Sequence, residues 1–347
     1  PPDTARGWDA AARDLAADSP EPPPAALEQA ARRAEAAALA VPGITMSESA
    51  GASYSRRRFH IALSNGFSGG YARTFHSLAA VAITGEGTGM ERDWAQEYRV
   101  YGSDLPAPED IGTLAGERTA ARKGARKPPT GAYPVFYDRR VASGLIGHLL
   151  SAVNGAAIVR GASWLRDAMG QAVLPSGLTV TEDPLRRRGP ASRPFDAEGL
   201  ATHARDIVKD GILQTWTLDL GTARRLNLAS TANAERGPGG PPSPGLSNLA
   251  LTPGTASPED LIAGMGTGLY ITAMLGASIN PTTGDYSRGA SGFWVRNGRI
   301  AYPVNECTIA GNLRDMLMRV TPADDIRDHD RFRIPGILVE GLTIAGE

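Results

Sequence analysis

The sequence has one cysteine, Cys307, so no disulfide can form within the chain. A lone thiol fits a reducing compartment and also many proteins outside one, so it decides little. Aromatic residues are scarce, at 6%. No apolar run approaches the roughly 18–20 residues of a membrane-spanning helix, and no basic-then-apolar leader opens the chain. Neither sign of charge is in excess: 36 Lys and Arg stand against 37 Asp and Glu, for a net charge of −1. A dedicated nucleic-acid binder usually carries a strong basic excess, which this chain lacks. Histidine is sparse as well. His60, His76, His148, His203 and His329 are followed by Ile61, Ser77, Leu149, Ala204 and Asp330. No His-Glu pair exists, and with it goes the helical zinc-hydrolase motif, which needs two imidazoles on one helical face and a glutamate to activate water.

What is abundant is punctuation. Gly 41 and Pro 26 in 347 residues exceed the average usage of about 7% and 5% and predict many turns. The length allows two domains with a substantial core. Residues 1–24, ending in Ser19-Pro20-Glu21-Pro22-Pro23-Pro24, read as a short helix and a stiff linker. The Ala/Arg/Glu run 25–39 reads as a helix ended by Pro42-Gly43. Residues 44–84, turning at Asn65-Gly66, read as an antiparallel hairpin or meander with one wet face. Pro108, Glu109 and Asp110 open a helix that Gly124 ends. Lys127-Pro128-Pro129 marks a boundary, which divides the chain into segments 1–24, 25–127 and 128–347. Beyond it come a strand at 133–137, a helix at 141–153 stopped by Asn154-Gly155, and a shorter helix at 163–169. A basic loop follows at 185–194, then an Asp210-Gly211 hairpin and an exposed Gly/Pro loop at 236–244. Ser257 caps a further helix. A second hairpin turns at Asn297-Gly298, Asn312 caps a helix at 313–320, and a strand at 337–344 closes the chain. Turn-bounded strands with scattered helices give an α+β class with a mainly antiparallel sheet.

Several residue groups could carry chemistry. Cys307 as a nucleophile would need a nearby base, and its Glu306-Cys307-Thr308-Ile309 run supplies no histidine. The reading favoured is a buried, small apolar residue. His148 on the 141–153 helix reads as a packed residue. Asp183, Asp196 and Glu198 lie near Arg186, Arg187, Arg188 and Arg193, an arrangement that fits surface ion pairing better than acid/base work. The run 186–188 reads as a solvated loop. The glycines of 85–89 and 237–240 precede no helix opening in Lys-Ser/Thr, so neither segment is a phosphate loop. Residues 281–313 are the densest polar stretch. Asn280, Asp285, Tyr286 and Arg288 fall in one loop, and Asn305, Glu306 and Asn312 follow the hairpin. These seven either line a cleft or meet a partner, or else satisfy turns and caps. The residue types alone leave both readings open.

The pattern of these stretches is familiar. Residues 65–70 (Asn-Gly-Phe-Ser-Gly-Gly) and 85–87 resemble the central domain of the TldD/PmbA metallopeptidase family. Residues 194–199, 247–249, 280–294, 302–304, 308–313 and 341–346 resemble its barrel-like C-terminal domain. Within the family the chain resembles the PmbA (TldE) branch. The resemblance implies a two-chain zinc peptidase acting on unfolded peptides. One subunit, the TldD type, carries a His-Glu-x-x-x-His helix and a late cysteine. Its PmbA-type partner lacks them. In this sequence Ile146, Gly147 and Ser151 stand where that motif has His, Glu and His, and residues 321–335 hold no cysteine. The expectation is therefore a non-catalytic, zinc-free subunit. It would form a heterodimer with a TldD-like chain that supplies the zinc, act on extended peptide, and be cytoplasmic, without contact to nucleic acid or membrane. The family's amino-terminal domain is missing before Pro1, so the expectation is a fragment or a shortened member. Two alternatives stand beside this reading: a regulatory protein of the DNA gyrase modulator type, and a self-sufficient hydrolase using Cys307.

Overall fold

The computed structural model describes residues 4–17, 19–237 and 239–347. Helix α1 (Pro24–Ala40) precedes three antiparallel strands, β1 (Ile44–Ala62), β2 (Ser68–Thr84) and β3 (Glu91–Arg99), and helix α2 (Pro108–Ala120) follows them. The turn between β1 and β2 is at Asn65-Gly66, where Gly66 takes φ 90° and the Asn65 side chain accepts the Phe67 N–H at 3.0 Å. Alternation along β2 sends Leu78 and Ala80 into a small core with Ala34, Ile111 and Ala115 of the two helices. Tyr71, Arg73 and Phe75 point to the other face, away from the two helices, and are half-buried there. The helices approach closely because Gly112 has no side chain. A Cβ there would stand 1.9 Å from the Ala34 carbonyl oxygen.

The rest of the chain begins with β4 (Gly131–Tyr137), α3 (Arg139–Ala152) and α4 (Gly155–Val159). Short strands β5 (Val180–Glu182), β6 (Arg205–Lys209) and β7 (Ile212–Leu213) lead to helix α5 (Leu220–Leu226). Then come β8 (Ala234–Glu235), β9 (Ser243–Pro244), β10 (Leu249–Leu251) and helix α6 (Pro258–Gly264). Three long strands follow, β11 (Gly268–Ile279), β12 (Asp285–Arg296) and β13 (Arg299–Asn312). Helix α7 (Leu313–Leu317), β14 (Val320–Pro322), β15 (Phe332–Arg333) and β16 (Ile337–Ala345) complete the chain. The main sheet runs β13-β12-β11-β4-β16-β14, and β13 also pairs with β16, which closes five strands into a barrel. All its pairings are antiparallel except β4 with β11. Its interior is the main core, with Val135, Leu269, Ile271, Trp294, Ile309 and Ile344 packed against Leu145, Ile146 and Leu149 of α3. A smaller sheet, β15-β10-β5-β6-β7, stands beside it.

Both hairpin turns take the left-handed conformation that Asn-Gly and Asp-Gly permit: Asn297 and Gly298 at φ 53° and 71°, Asp210 and Gly211 at φ 50° and 79°. Ser257 makes its capping box with Asp260, and Asn312 caps α7 by accepting the Arg314 N–H at 3.0 Å.

Three expectations need correction. Residues 163–169 are turns and not a helix, because the backbone is drawn to distant partners: the Trp164 N–H donates to the Pro281 carbonyl at 2.8 Å. The short helix of this region is α4, capped by Asn154, and α3 does stop just before that residue as expected. Among its described residues the N-terminal segment holds a 3-10 turn at Ala11–Arg13 before α1 begins at Pro24, and it is no free linker. Ala5 donates to the Gly199 carbonyl at 2.7 Å and Ala17 to the Thr74 hydroxyl at 2.7 Å, while Leu15 is buried. Residues 1–3 and 18 lie outside the described residues. Last, the 186–188 run is not simply solvated. Arg187 and Arg188 pair with Asp14, and burial lowers Arg186 to about 10.

Candidate functional site

The polar residues singled out in 281–313 do not form one site. Asp285 to Arg288 and Asn305 to Asn312 lie in β12 and β13, not in loops. At one end of this strand pair, Asn280 accepts the N–H groups of Thr282 and Thr283 at 2.9 and 3.3 Å. Asp285 accepts from the Thr283 hydroxyl at 2.6 Å and the Asn312 amide at 3.1 Å, and both hold its carboxyl below the ordinary value. Tyr286 is 3% exposed and faces the core, edge-on to His148 with ring centroids 5.8 Å apart. Arg288 donates to the Gly276 carbonyl at 2.8 Å. Asn305 and Glu306 lie about 20 Å further along the strands, at a strand rise of about 3.4 Å per residue. There Cys307 opposes Ala290 and Val304 opposes Gly292, so β13 has one residue too many. Glu306 takes φ 48°, the mark of a β-bulge. The bulge turns Asn305 toward Glu91 of β3, to which its amide donates, and leaves Glu306 exposed 3.7 Å from Lys127.

The face of α3 does not suit a zinc ion. Ile146 is apolar and fully buried, Gly147 has no side chain, and the Ser151 hydroxyl donates to the Gly147 carbonyl at 2.8 Å. His148 packs beside Tyr286, and its pKa is lowered first by burial and then by Arg288. Among the described residues no three His, Cys, Asp or Glu side chains gather as a ligand set. Cys307 is buried in the core, with its Sγ 3.2 Å from the Ala290 carbonyl, and burial pushes its thiol up to about 11. A thiol in that state is not a nucleophile at neutral pH.

The acidic groups near the arginines are also committed. Asp196 accepts three backbone N–H groups, from Glu198, Leu200 and Ala234, and Glu198 accepts that of Leu220. Asp183 accepts the Leu185 N–H at 2.8 Å. These are turn-forming carboxylates held by backbone, and burial raises the pKa values of Asp196 and Glu198.

A concavity away from the 281–313 strand pair takes in Arg193 and Asp196 of this group. This cleft of about 1180 Å³ lies between the face of β1 and β2 turned away from the helices and the loops around 190–197, 234–237 and 329–331. None of the seven polar candidates is among its lining residues. The strand period builds its floor: Arg57, Phe59 and Ile61 of β1 stand beside Tyr71, Arg73 and Phe75 of β2. Phe59 meets Tyr71 edge-on at 4.5 Å, and Tyr71 meets Phe195 at 5.5 Å. Arg73 donates to the Pro190 carbonyl at 2.6 Å and to that of Ser192, and so ties the sheet to the opposite wall. That wall is anchored by Glu182, which is 1% exposed and receives Arg205 at 2.9 Å, the Asn233 amide at 2.9 Å and the Ser247 N–H at 2.6 Å. The signal for this cleft was in the sequence as Arg and aromatic residues alternating at period two. A smaller cavity of about 320 Å³ lies where α2 meets the barrel, and Arg140, Asp93 and Asp138 in its lining are paired. Arg140 reaches Asp93 at 2.8 Å and Asp138 at 3.1 Å, and the Tyr270 hydroxyl donates to Asp138 at 2.7 Å.

With this geometry in hand, comparison with known proteins is decisive. The profile of the "PmbA/TldA metallopeptidase C-terminal domain" matches residues 130–346, and that of the "PmbA/TldA metallopeptidase central domain" matches residues 17–123. The chain belongs to the PmbA/TldD metallopeptidase family. It is 40% identical to the metalloprotease PmbA of Escherichia coli O157:H7 over 98% of its own length and 74% of that protein. It is 36% identical to a PmbA homolog of Haemophilus influenzae, covering 82% of this chain and 61% of that one. Among solved structures, a protein of Bacteroides thetaiotaomicron described as a candidate modulator of DNA gyrase superposes with TM-score 0.89 at 29% identity, over 99% of this chain and 76% of the other. TldE from Thermococcus kodakarensis shares the fold, with TM-score 0.80 at 19% identity over 95% of this chain and 78% of the other.

Proposed function

We propose that this PmbA/TldD family member is the zinc-free, PmbA (TldE)-type subunit of a two-chain peptidase. A TldD-like partner would supply the metal and the chemistry, and this chain would help to enclose unfolded peptide. The observation that carries the reading is the face of α3. Where the family's zinc branch has His, Glu and His, this chain has a buried Ile146, a Gly147 and a Ser151 whose hydroxyl is spent on its own helix. None of the three provides an imidazole or a carboxylate, so neither metal ligation nor water activation is within their chemistry. The gyrase-modulator reading has only the descriptions of two structural neighbours behind it. The buried, raised-pKa Cys307 gives the thiol-hydrolase reading no nucleophile. A cytoplasmic heterodimer is part of the proposal, and no described helix is long and apolar enough to cross a membrane.

The test is reconstitution. The purified chain is expected to hold no stoichiometric zinc and to cleave no unfolded peptide. It is expected to co-purify with a His-Glu-x-x-x-His-bearing relative from the same cell and to raise that relative's peptidase activity. Stoichiometric zinc together with peptidase activity in the isolated chain would overturn the proposal.

A further inference from the structure

The cleft over β1 and β2 has a charge arrangement that the protein does not resolve by itself. Arg57 and Arg73 are directly opposed across the two strands on the cleft floor. Like charges directly opposite in a sheet are destabilising. Arg193, Arg236 and Arg331 add to them around the same space, and only Arg193 makes an ion pair among the described residues, with Glu235 at 3.0 Å. The Arg331 guanidinium is occupied by the carbonyls of Leu246 and Ser247, which neutralise none of its charge. Arg73 and Arg193 each keep a buried Nε without a hydrogen-bond partner among the described residues. Burial, and then the charges of Arg193, Arg331 and Arg57, hold the Arg73 guanidinium below its ordinary pKa, with Tyr71 opposing them. Beside this excess of cation lies an apolar surface, made by Phe59, Tyr71 and Phe195. The site therefore asks for a ligand with one anionic group next to an apolar body.

We propose that the cleft is a carboxylate-receiving site for an extended peptide: an apolar side chain lies over Phe59 and Tyr71, and the adjacent carboxylate sits at the Arg57–Arg73 pair and relieves their repulsion. At about 1180 Å³ the space exceeds the roughly 300–1,000 Å³ of ordinary small-molecule pockets, which favours a chain segment over a compact metabolite. Arginines beside aromatics also suit single-stranded nucleic acid. Asp196, Glu235 and Asp330 in the same lining would repel a phosphate backbone at several points, whereas a single carboxylate can avoid them. The choice of peptide as ligand class rests on the proposed function. The site itself belongs to this chain, so binding is measured without the zinc-bearing partner, and the two ideas can fail separately.

The experiment is fluorescence anisotropy on the isolated chain with three labelled apolar heptapeptides: one with a free C-terminal carboxylate, one amidated, and one amidated with an internal glutamate. Hydrogen bonds to charged groups are the stronger kind, so amidation should weaken binding at least about tenfold. Recovery with the internal glutamate assigns the carboxylate to a side chain, and no recovery assigns it to the C-terminus. Arg57→Gln, on an exposed residue, should also weaken the acid peptide about tenfold, while the unfolding temperature without peptide stays the same or rises because a repulsive pair is gone. A purely structural arginine would not show that opposition of binding and stability. Equal binding of acid and amide, no effect of Arg57→Gln, no binding of any peptide, or tighter binding of a single-stranded oligonucleotide than of every peptide would each overturn the proposal.

Discussion

Two polar regions of this molecule have opposite economies. In the β12–β13 strand pair, Asn280, Asp285 and Asn312 are satisfied by Thr282, Thr283, Arg314 and one another. In the cleft over β1 and β2, five arginines converge and only Arg193 has a carboxylate partner among the described residues. The first region draws the eye in the sequence because its polar residues are contiguous. The second is scattered over the chain, and only the alternation of its floor leaves a pattern in the sequence. A dense polar stretch is thus no guide to a site. Unspent hydrogen-bonding and charge capacity is a better one.

The comparison can be broken most forcefully at Tyr286, which lies in the strand pair yet is 3% exposed and packed in the barrel core. Tyr286→Ala should cost about 3–5 kcal/mol of stability in urea denaturation, by loss of burial and the cavity left behind. The fraction that remains folded should bind peptide like the parent. A near-neutral effect on stability would show that Tyr286 faces a cleft after all.

Glu182, under the cleft wall, comes next. Burial alone would raise its carboxyl, but Arg205, the Ser247 N–H and the Asn233 amide outweigh burial and hold it below the ordinary 4.5. A lowered carboxylate contributes stability above its unfolded value, and that contribution is lost as pH falls through the folded value. Glu182→Gln leaves Arg205 without a counter-charge and should cost about 2–3 kcal/mol at pH 7. The gap between parent and variant should close as pH falls below 4.5 toward the folded value. A gap constant with pH would mean that the ion pair carries none of the stability of the wall.

Much of the fold was legible because its signals are local. Asn297-Gly298 and Asp210-Gly211 declare left-handed turns, and Ser257 and Asn312 declare helix starts. The antiparallel bias and the two faces of β2 follow from composition and alternation. The failures occur where distant residues decide. Residues 163–169 have a helical composition, yet the Trp164 N–H belongs to Pro281. The N-terminal segment reads as a linker, yet Arg13, Asp14 and Ala17 are tied to Leu185, Arg188 and Thr74. The cleft is the extreme case. Its two walls are joined by an Arg73–Pro190 hydrogen bond that spans 117 positions, and no local pattern encodes that contact. The α3 face stood out only through family resemblance, since Ile146, Gly147 and Ser151 are unremarkable as helix residues.

The smallest effect gives the sharpest comparison. Asn312 has two roles within its own region: it caps α7 through the Arg314 N–H, and its amide reaches the Thr283 carbonyl and Asp285, both at 3.1 Å. Loss of an asparagine cap costs about 1 kcal/mol, and exposed partners recover much of the rest from water. Asn312→Ala is therefore expected to lower stability by about 1 kcal/mol in urea denaturation and to leave the anisotropy of the acid peptide unchanged. Asn312→Ser, which keeps an N-cap acceptor, should regain about half of the loss. If Asn312→Ala weakened peptide binding while stability held, the satisfied hydrogen bonds of the strand pair would be serving a ligand as well, and the contrast between the two regions would collapse. The pairing of Asn312 with Asp285 argues against that outcome, because a ligand reaching either group would first have to break a hydrogen bond already made.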